Sequence, residues 1–110
     1  MFVRKVAVRL KPNSLEKFKH LMERDILPWL RSQEGFVDLI MLAAPDGSEV
    51  QSISFWEHEG SASTYSSSGY PAVVKILEGL LDTVPFVKTF AVVSSTVDRL
   101  APRDTPALTG

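Results

Sequence analysis

The 110-residue sequence predicts an α+β fold of the ferredoxin-like βαββαβ type, a four-stranded antiparallel sheet with two helices on one face. Apolar, β-branched segments alternate with helical patterns in the order β-α-β-β-α-β. The turn Pro45-Asp46-Gly47-Ser48 joins the second and third strands into a hairpin, since Pro presets φ and Gly accepts a positive φ. Right-handed crossovers then place both helices on the same side of the sheet.

The first strand is predicted over residues 3–11. Its apolar positions alternate and form one face: Val6, Val8 and Leu10. Asn13 fits the N-cap of a helix, with Glu16 completing a capping box. The apolar stripe of this helix comprises Leu15, Phe18, Met22, Ile26 and Trp29. Pro28 should kink the helix or start a second short turn, and Gly35 should stop it.

The second strand, predicted over residues 36–44, is apolar on both faces. One face has Val37, Leu39 and Met41, and the other has Phe36, Ile40 and Leu42. The third strand is predicted over residues 49–57. Ser52, Ser54 and Trp56 share one of its faces, and Ile53 and Phe55 share the other.

Residues 59–68 are small and polar, and they fit either a short helix or a loop. Pro71 suits the first position of a clear helix that Pro85 ends. The predicted buried face of that helix comprises Val74, Leu77, Leu81 and Val84. The last strand is predicted over residues 87–97. We therefore expect one domain over residues 1–97 and a tail over residues 98–110 that is mobile or lies as a strap over a partner subunit.

The two-sided apolar character of the strands predicts a partner. The helices cover one face of the sheet, and an apolar face open to water is unusual. A homodimer through the uncovered sheet face is the simplest solution, and a tolerated apolar surface is the alternative. In the dimer, Lys5 and Arg9 would need acidic partners such as Asp38 or Glu57, or would lie at the rim.

Composition excludes several classes of function. Twelve Lys and Arg against thirteen Asp and Glu give a net charge of −1, so no basic field predicts nucleic-acid binding. The absence of Cys excludes disulfides and thiolate metal sites, and two His are too few for a typical zinc site. Neither a phosphate-binding loop nor a membrane or signal segment is evident, which makes a cytoplasmic protein without metal or cofactor the expectation.

Four segments in order carry a resemblance to a known family. They are Leu10 to Asn13, Pro28 to Phe36, Ser54 to Glu59 and Gly69 to Pro71. With them, the sequence resembles the antibiotic biosynthesis monooxygenase-like family of the dimeric α+β barrel superfamily over residues 3–97. The resemblance implies a pocket in each subunit, between the sheet and the helices. Some members of that family oxidise aromatic compounds with oxygen and without a metal or flavin, and the resemblance makes this reaction one expectation for the present sequence.

The resemblance places the strand-three Trp, here Trp56, in the pocket wall, where it would stack on a planar substrate. The alternative is a core anchor without a ligand. Ser52 and Ser54 would face the helices beside it and leave room. Tyr65 and Tyr70 lie on the segment that would cover the pocket, where a phenol can donate to a substrate oxygen, or else they only pack.

Histidine is the least certain of the candidate residues. Many relatives carry a His nine residues after the Trp, and that position is Tyr65 here. His58 is then either a surface residue or a proton shuttle at the pocket mouth. The haem-degrading members use an Asn in the first strand and a His in the second helix, and this sequence has neither at those places.

Three hypotheses for the function follow. The first is a cofactor-independent monooxygenase acting on a small aromatic or quinol-type substrate, with catalytic candidates Tyr65, Tyr70 and His58 and binding residues Trp56, Ser54, Tyr65 and Tyr70. The second is a non-enzymatic dimeric module that binds a small apolar or aromatic ligand or serves a stress response. The third is a structural dimer with a filled core.

Overall fold

A four-stranded antiparallel sheet forms the centre of the chain. The computed structural model describes residues 1–102. The elements are β1 (Phe2–Arg9), α1 (Leu15–Leu21), α2 (Leu27–Arg31), β2 (Phe36–Ala43), β3 (Glu49–Trp56), α3 (Glu59–Ser68), α4 (Tyr70–Leu77) and β4 (Phe86–Ala91). The strand order is β2-β3-β1-β4, with every neighbouring pair antiparallel. This confirms the predicted α+β fold and the strand-helix order.

The helix-facing side of the sheet carries the core. Val6 and Val8 of β1 and Val50 and Trp56 of β3 are buried there. They pack with buried residues of the helices: Phe18, Met22, Ile26, Leu30, Ala62, Tyr65, Val73 and Leu77. The alternation predicted for β1 and β3 is therefore confirmed, because burial of one face requires a period of two.

The N-terminus of α1 differs from the prediction. Asn13 has φ 61° and lies in the turn after β1, while Ser14 takes the N-cap position without a side-chain cap bond. Asn tolerates the left-handed conformation better than other side chains. Asn13 therefore belongs to the turn after β1 and is not the N-cap of α1.

The backbone before Pro28 widens into a π-helical turn, Met22–Ile26. The N–H of Leu27 bonds to the carbonyl of Met22, five residues back, and α2 begins at that point. Since proline cannot donate to an α-helical ladder, the extra residue absorbs the missing bond and a second short helix starts, as one of the two predictions had it. Gly35 lies in the turn beyond α2 with φ 80°, three residues past the C-cap Ser32.

The start of β2 contains a β-bulge that overturns part of the predicted face. The register shifts between Phe36 and Asp38, so that Phe36 pairs with Trp56 while Leu39 pairs with Ser54. An extra residue in one strand reverses the alternation across it. Phe36 therefore lies on the helix-facing side with Leu39, and not with Ile40 as predicted.

Residues 59–68, for which the sequence predicted either a short helix or a loop, form α3. The next helix, α4, starts with Pro71 in its first turn as predicted, but it ends at Leu77 and a 3₁₀ turn follows at Glu78–Leu80. Backbone bonds from Lys11 to Leu80 and from Asp82 to Arg9 draw the chain back to the end of β1.

This path corrects the predicted buried face of the second helix. Leu77 is buried, Val74 is half-buried and Leu81 bridges to Leu10, but Val84 lies beyond the helix and is 88% exposed. Pro85 consequently does not end a helix. The chain between the 3₁₀ turn and β4 is irregular.

The last strand is shorter than predicted because β1, its neighbour in the described part of the sheet, starts at Phe2. The final ladder bond of β4 runs from the Val92 N–H to the Met1 carbonyl, and no strand continues to residue 97. A 3₁₀ turn follows at Asp98–Leu100, where Arg99 pairs with Asp38 of β2 at 2.6 Å. The residues after β4 therefore reach the opposite edge of the sheet.

That turn contains the start of the predicted tail, and its Leu100 is buried. Residues 103–110 of the tail lie outside the described residues. The expected boundary between residues 97 and 98 stays a prediction.

The outward face of the sheet is largely apolar. Ile40, Leu42, Phe86 and Phe90 are between 42% and 68% exposed. Lys5 lies opposite Lys88 and beside Ile53, and Asp38 pairs with Arg99 instead of with Lys5 or Arg9. Among residues 1–102, no helix is long and apolar enough to cross a membrane.

Candidate functional site

A cavity lies between the helix-facing side of the sheet and the helices. Its empty volume is about 580 Å³ including its mouth, and its shape is a narrow cleft. Most of the wall is apolar, from Val6, Val8, Phe18, Met22, Ile26, Leu30, Leu39, Val73, Val74, Leu77, Leu81 and Pro85. The polar groups of the wall are Arg4, Ser52, Ser54, Tyr65 and Tyr70. An apolar cleft with a few polar groups is typical of a small-molecule site.

The small residues of β3 have the place that the sequence predicted for them. Ser52 and Ser54 line the cavity from the sheet side. Leu39 and Met41 of β2 lie opposite them in register. A larger side chain at either serine would enter the cleft, because these positions face the helices. The cavity exists partly because the strand has serines there, and the hypothesis of a filled core does not describe this structure.

Five aromatic rings form one contiguous cluster at the cavity, and four of them meet at Tyr65. Tyr65 stacks on Trp56 with ring centroids 5.0 Å apart, and contacts Trp29 at 5.9 Å and Tyr70 at 6.2 Å. Gly69 lies between α3 and α4, against the rings of Trp29 and Tyr65. Each tyrosine thus presents its ring to the cleft with a second ring behind it, which fixes the orientation of the wall.

Trp56 is enclosed behind this wall. It is 0% exposed, its ring meets Phe36 edge-on at 5.5 Å, and it is not among the residues that line the cavity. Its Nε1 donates to Ser54 Oγ at 2.9 Å, and that hydroxyl donates to the Arg4 carbonyl at 3.2 Å. This geometry favours the core-anchor interpretation, in which Trp56 positions Tyr65 rather than touching a ligand.

Arg4 is a residue of the site that the sequence reasoning missed. It is only 2% exposed, and its guanidinium carbon lies 3.8 Å from the ring centroid of Tyr70 and 5.3 Å from that of Tyr65. Its Nε donates to Ser66 Oγ of α3 at 3.1 Å. The signal was present, since Arg4 is two residues before Val6 and alternation puts both on the same face.

Burial shifts the pKa values of the polar groups in the wall. It raises the pKa of Tyr65 to about 12, and the nearby Arg4 charge opposes this only in part. Burial also raises the pKa of Tyr70, and Arg4 again acts in the opposite direction. Burial lowers the pKa of the Arg4 guanidinium, an effect that the two tyrosines counteract. Both phenols are therefore protonated at neutral pH and can donate a hydrogen bond.

The Tyr70 hydroxyl is buried close to the Arg4 guanidinium, but no hydrogen bond of good geometry satisfies it within residues 1–102. Buried hydroxyls in folded proteins are nearly always paired. An unpaired donor on the wall of a cleft marks a place where a ligand oxygen fits.

His58 does not line the cavity. It is an exposed residue in extended conformation at the N-cap of α3. The described residues contain no cluster of His, Asp and Glu that could hold a metal ion. The part of the cavity wall formed by residues 1–102 has no carboxylate, imidazole or thiol.

Comparisons with known proteins match at the level of structure. No protein-family model matches the sequence, and no curated protein is similar to it in sequence. The monooxygenase ActVA-Orf6 of Streptomyces coelicolor, solved with nanaomycin D, gives a TM-score of 0.74 at 21% identity, covering 87% of this chain and 90% of its own.

Two further solved structures illustrate the range of the match. The NE2512 protein of unknown function from Nitrosomonas europaea gives a TM-score of 0.74 at 13% identity, covering 87% of this chain and 92% of its own. A proposed antibiotic biosynthesis monooxygenase from Deinococcus radiodurans gives 0.71 at 12% identity, covering 86% and 95%. The chain therefore has the fold of the antibiotic biosynthesis monooxygenase structures, as the resemblance implied, and one fold hosts many activities.

Proposed function

We propose that the protein is a cofactor-independent monooxygenase acting on a small aromatic or quinol-type substrate bound in the cavity. The observation that carries the proposal is the apolar cleft with Tyr65 and Tyr70 on its wall. A planar substrate fits against such rings. The monooxygenase of S. coelicolor with bound nanaomycin D, which shares this fold, supports the choice of reaction.

Among residues 1–102 no side chain of the cavity wall accepts a proton near neutral pH, so the proposal assigns the chemistry to the substrate itself. An anthrone-type substrate meets this condition. Its CH₂ group loses a proton to water before the cavity excludes bulk water from the bound substrate, and the resulting enolate gives electrons to O₂. One oxygen atom becomes the new carbonyl, and the other leaves as water with the two hydrogens of the CH₂ group.

The contribution of the protein is binding, exclusion of bulk water and hydrogen bonds to the developing oxyanion. Tyr65 and Tyr70 are protonated at neutral pH, burial raises their pKa further, and they are the donors on the wall. Ser54 is engaged with Trp56 and the backbone of Arg4, so its part is to leave space. His58 is outside this arrangement.

Oxygen uptake with anthrone and with quinols, measured above the spontaneous rate, tests the proposal. In the variant Val73→Phe the added ring enters the cavity, and we expect at least a tenfold loss of the enzymatic rate. Ile76→Phe is the matched control, because Ile76 is 49% exposed on the same helix and does not line the cavity. No uptake above the spontaneous rate, or equal rates in the two variants, would contradict the proposal.

The second candidate function is a non-enzymatic module that binds the same class of ligand. The lack of a proton acceptor in the wall favours it. Native mass spectrometry of protein taken from cells distinguishes the two. A bound aromatic molecule that stays unchanged in aerated buffer supports the binding module, and its conversion to a product one oxygen richer supports the monooxygenase.

We propose further that two copies pack through the outward sheet face, which exposes Ile40, Leu42, Phe86 and Phe90. Sedimentation of Phe90→Asp should show monomers at micromolar concentration, whereas wild type should sediment as a dimer. Val84→Asp is the control, since Val84 is exposed and lies outside the sheet. A wild-type monomer at that concentration would refute the dimer. The cytoplasmic location stays a prediction.

A further inference from the structure

We propose that Arg4 and Tyr70 form an anion site in the wall of the cavity, which binds an ionised oxygen of an aromatic ligand. The site selects aromatic molecules that carry a phenolate, enolate or carboxylate over neutral molecules of the same shape. The inference rests on the proposed function only in taking the cavity as the ligand site, and it does not depend on oxidation.

Burial of the Arg4 charge is the first observation. The side chain is 2% exposed, yet the ion pairs formed within residues 1–102 do not include it. Taking a guanidinium out of water without an anion is unfavourable. Its charge is therefore available to a ligand that reaches the cavity.

The neighbours of Arg4 satisfy the charge only partly. Ser66 accepts a hydrogen bond from Nε at 3.1 Å, and the ring of Tyr70 lies 3.8 Å from the guanidinium carbon. A cation near an aromatic face gains electrostatic energy, but the ring accepts no in-plane hydrogen bond. The terminal nitrogens of the guanidinium fork are the groups that bind carboxylate and phenolate oxygens.

The second observation is the unpaired donor next to that charge. The Tyr70 hydroxyl is buried, no hydrogen bond of good geometry satisfies it in the described chain, and both residues line the cavity. An ionised ligand oxygen between them would accept from the guanidinium and from the phenol. Such an oxygen would pair with the Arg4 charge and accept a hydrogen bond from the Tyr70 hydroxyl at the same time.

A nearby carboxylate does not already fill this role. Arg4 also borders a small surface recess that includes Glu59. Glu59 is exposed to solvent, and no ion pair joins it to Arg4. Within the described part of the chain, the wall of the main cavity has no acidic side chain.

The test compares two probes of nearly equal shape, 2-naphthoate and the neutral 2-naphthamide, by fluorescence titration at pH 7. We expect wild type to bind the carboxylate at least tenfold more tightly. Arg4→Met should bring the ratio of the two affinities close to one. Arg9→Met is the matched control, because Arg9 is exposed on the same strand, and it should keep the wild-type ratio.

Tyr70→Phe provides a second variant should Arg4→Met fail to fold, since it removes only the unpaired hydroxyl. We expect it to lower the carboxylate affinity several-fold and leave the amide affinity unchanged. Equal affinities of wild type for the two probes, or no binding of either, would overturn the inference. Selective binding of 2-naphthoate, together with no oxygen uptake above the spontaneous rate with anthrone or quinols, would support the anion site and contradict the monooxygenase. The failure of one proposal is therefore distinguishable from the failure of the other.

Discussion

Gly69 provides a sharp test of how tightly the aromatic cluster is packed. A Cβ at this position would lie 3.0 Å from Cζ2 of Trp29 and 3.2 Å from Cδ1 of Tyr65, and closer still to Cη2 of Trp29. The φ of Gly69 is −112°, so Ala fits the backbone and only the rings oppose it. Overpacking of this kind costs about 1–3 kcal/mol. Reduced freedom of the unfolded chain offsets about 0.4–1 kcal/mol of it.

The two figures together span a net loss of about 0–2.6 kcal/mol, and we expect Gly69→Ala to lower the free energy of unfolding by about 1–2 kcal/mol, in the middle of that range. Gly60→Ala is the control, because nothing lies within 4 Å of a Cβ at Gly60, which is also helical. That variant should gain up to about 1 kcal/mol from helix propensity. Urea unfolding at one fixed protein concentration measures both, and the two midpoints should differ by about 1 M or more.

The tryptophan fluorescence of folded Gly69→Ala should also change, since Trp29 has to move away from Tyr65. A Gly69→Ala variant as stable as Gly60→Ala would show that the cluster yields without cost. The rings would then not be a fixed wall, and the reasoning about the cleft would fail with them.

Three further predictions concern the cluster and the sheet edge. Ser54→Ala removes the acceptor of the buried Trp56 Nε1, so it should lower the free energy of unfolding in urea by about 1–3 kcal/mol. The same substitution should cost clearly less in a Trp56→Phe background, where the donor is already gone. Equal costs in the two backgrounds would contradict a stabilising hydrogen bond between these side chains. The pKa of Tyr65 is raised to about 12, so the folded state holds its proton more tightly than the unfolded state does. The resulting contribution of about 2–3 kcal/mol to the free energy of unfolding is complete below pH 10 and is lost as the pH rises to 12. Tyr65→Phe should therefore show a smaller decrease in stability between pH 10 and pH 12 than wild type, and equal decreases in the two proteins would refute the prediction. Asp38→Asn should lower the free energy of unfolding by less than about 1 kcal/mol, because the ion pair with Arg99 is partly exposed. The difference from wild type should vanish in 0.5 M salt, and a larger loss that persists in salt would contradict this prediction.

Elements whose periodicity is dictated by burial were predictable from the sequence. Val6, Val8 and Trp56 lie on the predicted faces of their strands because one face of each strand is enclosed, and the hairpin turn has Gly47 at a positive φ of 75°. The bulge at Phe36 was not predictable, since an inserted residue changes the register without changing the composition of an apolar run.

The ends of elements were the least predictable, because tertiary partners decide them. The last strand stops where β1 provides no further partner, and α4 stops where Leu81 bridges to Leu10. Neither limit is written in the local sequence. Val84, apolar and correctly spaced for the helix, is consequently exposed.

The candidate site was predictable in part. Ser54, Tyr65 and Tyr70 line the cavity, but Trp56 lies behind the wall and His58 outside it. Arg4 was missed because a charged residue in a strand is normally assigned to the solvent side. Strict alternation from Val6 would have placed it inside, so periodicity was the better guide there than polarity.

The Asp98–Leu100 turn has a bearing on assembly, because Arg99 holds it to Asp38 on the outward side of β2. The turn is therefore attached to the sheet face through which we propose that two copies pack. In the proposed dimer the turn and the second copy compete for this face, and the turn has a high effective concentration because it belongs to the same chain. Loosening the turn would then favour the dimer, and the protein concentration needed for dimerisation would fall.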